Sequence, residues 1–414
     1  MNNSPSPTIK VQVIPDPNPW EDREAAPRLP LPAVLVLALA VLCGAAYPAL
    51  IGTLPFLWVP VFAVCALCLL RVVRGIIPLL MAALVFAVGL LVGSPALGTA
   101  LLGVLTAVAL TALLITLTRS NWLLLLPVIA YALAWGLSGS YELALLALLP
   151  FPAAAALAWG TMKNDRRVSV ICATAIALLV CVLLAIAAYW YEVEHELTME
   201  SYVRAFEAIR VQAAAEFAKA PETPEINAML QEMGYPFTIE DVYDTVITVL
   251  MVLMPALLTV LCSIFAYAAQ LLCVRSYAGC GVPRMMTRTA QLFVLSVPAG
   301  LISAFCSIVL FIHVLLSMFF TVQAGLFIIV LINLQLILLP GTCVVGAWKL
   351  YADFRRRPSI FVAITVVISA VLMPMMLLIS LSLSGAFTTV ARPLIAKMLA
   401  EGIVPDDHSD GEQR

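Results

Sequence analysis

Between Arg74 and Arg119 the chain carries no charged side chain, and apolar runs of membrane-crossing length recur from Leu31 onward. A helix of about 20 apolar residues spans a bilayer core. Inside that core every backbone N–H and C=O must be paired within the protein, so only helices and closed barrels can cross it. A barrel would show short alternating strands, and these runs do not alternate. Composition agrees, with 63% of residues hydrophobic, 11% charged and a mean hydropathy of +1.06. A soluble domain is about half apolar and about a quarter charged. The expected fold class is all-α, a polytopic helical membrane protein.

Length and pattern predict about eleven transmembrane helices, within a range of nine to twelve. They fall near residues 32–52, 55–70, 76–93, 95–118, 121–139, 141–161, 168–190, 243–273, 289–313, 317–348 and 359–383. Lys and Arg alternate between the loops. Arg71 and Arg74, Arg119, Lys163 with Arg166 and Arg167, Arg275 with Arg284 and Arg288, and Lys349 with Arg355, Arg356 and Arg357 follow every second span. The loops near residues 53, 94, 140 and 315 carry neither residue. Basic loops stay on the cytoplasmic side, which places the N-terminus there and, for an odd count, the C-terminus outside. Trp122, Trp135, Trp159, Trp190 and Trp348 fall near span ends, where indole favours the headgroup region.

Residues 1–31 are polar and proline-rich and read as a disordered cytoplasmic tail, without the layout of a signal peptide. Residues 32–190 form an N-terminal membrane bundle of about seven helices, 244–384 a C-terminal bundle of about four, and 385–414 an amphipathic or polar tail. Between the bundles, residues 191–243 hold eleven acidic side chains against Arg204, Arg210 and Lys219. This stretch reads as an extracytoplasmic helical insertion. Glu200/Arg204 and Glu207/Arg210 have helix-face spacing. Thr223-Pro224 starts a helix that ends at Gly234, with Ile226, Met229, Leu230 and Met233 on one apolar face. Thr238 and Asp241 have the spacing of a capping box leading into the next span.

Candidate chemistry is sparse. Glu192 and His195 could share a helical face, but a di-iron bundle needs that motif twice plus two further carboxylates, and there is no second copy. His195 reads as part of a solvated helix start. Ten cysteines lie singly in apolar stretches apart from Cys65-x-x-Cys68, which reads as core filler. No acid or base sits near the middle of a span, which argues against a carboxylate-based proton antiporter or a voltage sensor. Uncharged polar groups do occur at depth. Gln270, Gln291, His313, Gln323, Asn333 and Gln335, with Ser303, Ser307 and Thr342 nearby, are candidates either for interhelical hydrogen bonds or for the lining of a polar cavity. Pro255, Pro298, Pro340 and Pro374 are candidate helix breaks in the last four spans. Gly89-x-x-x-Gly93 and Ala40-x-x-x-Gly44 allow close helix contact. Nucleotide-binding, metalloprotease and serine-hydrolase signatures are absent, so the reading is not an enzyme, with no metal and no cofactor. A net charge of −2 gives no basic field for nucleic acid.

The second half resembles the YybS-like family of uncharacterised bacterial multi-pass membrane proteins. The likeness lies in layout: an external helical insertion, a span with an early proline (VLMPALLTVLCSIFAYAAQLL), a basic loop, a span carrying Gln323-Ala-Gly-Leu326, and a last hydrophobic pair. The resemblance implies a bacterial cytoplasmic-membrane protein and no particular activity. The functional expectation is a permease-like or solute-binding membrane component for a small solute, with any ATP supplied by a partner subunit. The alternative is a non-transporting scaffold or assembly factor that docks partners through its acidic insertion.

Overall fold

The structure is a computed structural model. It describes residues 29–400 except 93, 119, 164, 195–197, 199, 202–203, 205–206, 209, 212–222, 234–237, 281–294, 320–324, 357 and 359. The polar segments 1–28 and 401–414, His195, Gln291 and Gln323 lie outside the described residues. Among the described residues the chain is helical throughout, with no strand. It is an all-α polytopic membrane protein. Among the described residues nine helical stretches are long and apolar enough to cross a membrane, and Ile76–Leu91 and Met376–Ala391 are shorter apolar helices. Large side chains such as Leu91, Ile360 and Phe361 stand exposed along their outer faces. A soluble protein keeps such apolar patches small, whereas lipid leaves them at no cost.

The N-terminal bundle comprises α1 (Leu31–Ala46), α2 (Trp58–Val72), α3 (Ile76–Val92), α4 (Pro95–Thr118), α5 (Leu125–Ser138), the single turn α6 (Tyr141–Ala144), α7 (Pro150–Met162) and α8 (Arg167–Glu194). Its centre is α4, the most buried of the spans, which packs against α1, α2, α3 and α7. Local chemistry sets its start. The Ser94 hydroxyl accepts from the Leu97 amide at 3.2 Å, and Pro95 at the first helical position has no N–H to leave unpaired. The threonines of this apolar helix satisfy themselves: Thr99 and Thr106 donate to carbonyls one turn back, at 2.8 and 2.7 Å. Backbones meet where side chains vanish. Gly44 of α1 lies on Gly103 of α4, and Gly89 of α3 lies on Gly98 of α4, so these two motif glycines pack within the chain, while Gly93 lies outside the described residues.

The insertion contributes α9 (Thr223–Glu232) and leads into α10 (Ile239–Gly279). Thr238 accepts from the Asp241 amide while the Asp241 carboxylate accepts from the Thr238 amide, which completes the expected capping box. Arg210 pairs with Glu207 at 2.9 Å and, through Nε, with Asp244 at 3.0 Å. The insertion is therefore tied to the first turns of α10. These surface pairs position more than they stabilise, at about 0–1 kcal/mol each.

At 41 residues, α10 belongs to both bundles. Its second half joins the N-terminal core through Cys262, Ala266, Ala269, Leu272, Cys273 and Tyr277, while the helix also packs on α12 (Leu326–Arg356). The C-terminal bundle adds α11 (Val297–Phe319), α12, α13 (Ile360–Leu372) and α14 (Pro374–Ala400). The tightest pairing is α12 with α14. Thr342 faces Gly385, Gly346 faces Leu381, and Asp353 lines a groove with Met376, so α14 runs back antiparallel along α12.

This end differs from the sequence reading. The apolar run 359–383 is divided at Met373, and the helix that lines up with α12 begins at Pro374 and continues to Ala400. Residues 385–391 are thus bundle helix, with Ala386 and Thr389 buried, where the sequence reads as the start of an amphipathic or polar tail. The 13 residues of α13 span about 20 Å, too short to cross hydrocarbon. Of the four candidate break prolines, Pro255 and Pro340 lie inside helices, whereas Pro298 sits in the first turn of α11 and Pro374 opens α14. A proline in a first helical turn removes an N–H that would have had no partner there, so it starts a helix rather than kinking one.

Candidate functional site

The buried polar groups of the C-terminal bundle meet along α12. Ser303 of α11 donates to Gln335 Oε1 at 3.3 Å, and Gln335 Nε2 donates to Ser382 of α14 at 3.4 Å. Ser382 and Thr342 share a hydroxyl–hydroxyl bond at 2.7 Å. Ser303, Thr342 and Ser382 are all buried. One connected chain of hydroxyls and an amide therefore joins three helices. Each such bond contributes about 0.6 kcal/mol in a membrane protein, so the network's main effect is to fix register.

Asn333 lies two residues before Gln335 and turns to α10. Its Nδ2 donates to the carbonyls of Val252, at 3.1 Å, and Ile329, at 3.0 Å. Val252 belongs to the turn before Pro255, where the missing proline N–H disturbs the helical ladder. The other side of the amide is unmet. Asn333 Oδ1 is buried and has no hydrogen-bond partner. Thr111 Oγ1 is in the same condition, but it sits in the close-packed middle of α4.

The remaining candidates separate. Gln270 is buried at the α8–α10 contact, where its Oε1 accepts from Arg167 Nε at 3.1 Å. The Arg167 guanidinium also lies over the Tyr267 ring, 5.1 Å from its centroid. This assembly ends the bundle on its basic side, far along α10 from Pro255. His313 is half-buried on α11. The cysteines are free thiols, and Cys65 and Cys68 are core residues. Among the described residues no group of histidines, cysteines and carboxylates could hold a metal ion.

A second polar feature escaped the sequence reading. Between α12, α13 and α14 lies an open groove of about 470 Å³ whose walls include Lys349, Asp353, Thr365, Ser369, Ser380 and Ser384. Lys349 reads from the sequence as one of the basic residues that follow a span, and Asp353 is not singled out. The spacing i, i+4 was visible, but nothing in the apolar run 359–383 announced that it would fold back over them.

Compared with known protein families, curated proteins and solved structures, the chain matches none of them.

Proposed function

We propose that this protein is a solute-binding, permease-like membrane component whose site lies at the α10–α12 contact beside Asn333. The observation that carries this reading is the unmet Asn333 Oδ1. A buried acceptor without a partner costs about 1–3 kcal/mol. A small uncharged solute with a hydroxyl or N–H donor would repay that cost on binding. The site sits against the turn of α10 before Pro255, where the proline lacks the N–H that would pair a carbonyl one turn back. Energy for transport would come from a partner subunit. The alternation of basic loops favours an N-terminus in the cytoplasm and the acidic insertion outside. Tags placed at residues 215 and 356 should report opposite faces; the same face for both would reverse this orientation.

The purified protein should show a rise in melting temperature with at least one member of a panel of uncharged and aromatic metabolites. Asn333→Leu should abolish that rise while the unliganded protein still melts cooperatively. A second reading, a scaffold that docks a partner on the insertion, is favoured by Met229 of α9 and Met233 in the turn after it, 61% and 57% exposed. A flat response across the panel, together with capture of one defined partner by a photo-crosslinker at Met229, would replace the solute reading with the scaffold.

A further inference from the structure

The groove between α12, α13 and α14 has features that the Asn333 site lacks. Its polar walls carry one cation and one anion. Lys349 and Asp353 are one helical turn apart on α12, both exposed, and form no ion pair with each other. Thr365 and Ser380 donate to carbonyls of their own helices, at 2.9 and 2.8 Å, while Ser369 and Ser384 add hydroxyls to the walls. Behind the polar part lies a second, apolar hollow of about 380 Å³. It is open to the outside and lined by Ala347, Leu350, Tyr351, Phe354, Val366, Val367, Leu377 and Leu381. The two hollows share Leu350, Val366, Leu377 and Leu381, so the groove that carries the charges and hydroxyls on an otherwise apolar lining and the apolar hollow adjoin along one wall, both open to the surroundings.

Depth places this pair of chambers. Trp348 and Tyr351, with ring centroids 5.6 Å apart, are exposed on the same two turns of α12 as Lys349 and Asp353. Exposed tryptophan and tyrosine mark the headgroup level of a bilayer. Arg355 follows on the same helix. The short α13 presents Ile360, Phe361, Ile364, Val367 and Ile368 to its surroundings, as a helix resting in acyl chains would. Both hollows thus run along residues 346–354 of α12, at the level of the headgroups and the first part of the chains, the first carrying the charges and the second lined by apolar side chains.

We propose that this groove is a binding site for a single phospholipid with a zwitterionic, amine-bearing head, of the phosphatidylethanolamine class. Lys349 and the hydroxyls of Ser369 and Ser384 take the phosphate, Asp353 takes the primary ammonium, and part of one acyl chain fills the Leu350–Leu381 hollow. The two wall charges cancel, which removes the attraction a purely basic site would have for anionic lipid. Asp353 repels an anionic head, and a trimethylated amine offers it no N–H donor. The site is separate from the contact at Asn333, and either can fail without the other.

Native mass spectrometry on the full chain, released from nanodiscs holding equal parts phosphatidylethanolamine, phosphatidylglycerol and phosphatidylcholine, tests this. Phosphatidylethanolamine should be retained over each of the others by about fivefold, the ratio one exposed charge contact supports. Asp353→Asn should bring phosphatidylethanolamine and phosphatidylglycerol to parity. Lys349→Gln should lower retention of all three. Melting of both variants in pure phosphatidylcholine should match the unaltered protein, which separates lost binding from lost folding. Water-soluble phosphoethanolamine at the same concentration should not displace the lipid, because it leaves the apolar hollow empty. Equal retention of the three lipids, a preference that survives Asp353→Asn, or displacement by the soluble head would each overturn the proposal.

Discussion

Gly385→Leu should unfold the C-terminal bundle under conditions where the unaltered protein is stable. A Cβ at Gly385 would overlap the carbonyl oxygen of Thr342, and one at Gly346 would overlap that of Leu381. Both obstacles are backbone, so no side-chain rotation relieves them and the two helices must move apart. Separation breaks the Thr342–Ser382 bond and the reach of Gln335 to Ser382, and it opens the closest helix pair of the bundle. Overpacking alone costs about 1–3 kcal/mol, and the severed network of buried hydroxyls adds to it. The expected loss is about 2–4 kcal/mol, read as a fall in melting temperature or as early loss of helix in a detergent titration. Gly136→Ala is the control. A Cβ there meets nothing within 4 Å, so that variant should be neutral or slightly more stable. Wild-type stability in Gly385→Leu would mean that α12 and α14 do not approach closely.

The difference between what was legible and what was not follows from the length of the interactions involved. The long apolar helices follow from a transfer free energy summed over some 20 residues, which a sequence displays directly, and nine of them have crossing length among the described residues where about eleven are expected. The Thr238–Asp241 box and the Glu207–Arg210 pair depend on residues three apart, and they too were visible. The motif at Gly44 announced a close contact without naming Gly103 as its partner, because helix pairing is a tertiary choice. The division at Met373 was hidden for a different reason. Proline in an apolar run either kinks a helix or starts a new one, and only packing against α12 selects the second. With that choice Thr365 and Ser369 came to line one groove with Lys349 and Asp353, residues with no local relation to them. Asn333 was visible as a polar residue at depth. That its amide would divide, one side bonded to Val252 and the other unmet, depended on where α10 lies.

Tyr277→Ala should be the most damaging single change on the seam between the two bundles. Tyr277 is nearly the last residue of α10, yet it is 6% exposed and its ring belongs to the core built around α4. Its hydroxyl meets Thr116 Oγ1 at 2.8 Å, and Cys273, one turn earlier, directs its thiol at the same oxygen at 3.7 Å. Close by, the Arg74 amide donates to the Arg275 carbonyl at 3.3 Å, so the α2–α3 connection is held to the same turn. Truncating a buried aromatic ring to alanine leaves a cavity that costs about 3–5 kcal/mol. Tyr277→Phe separates packing from polarity. It keeps the ring, and Thr116 retains its bond to the Leu113 carbonyl at 2.9 Å, so the loss should be only about 0.6 kcal/mol. Melting curves of the two variants should therefore differ widely, with the alanine variant also exposing Cys273 and Cys68 to a thiol reagent that the folded protein excludes. If the alanine variant melts with the phenylalanine one and its thiols stay protected, the inner half of α10 is not part of the N-terminal core. The two bundles would then be joined by chain alone.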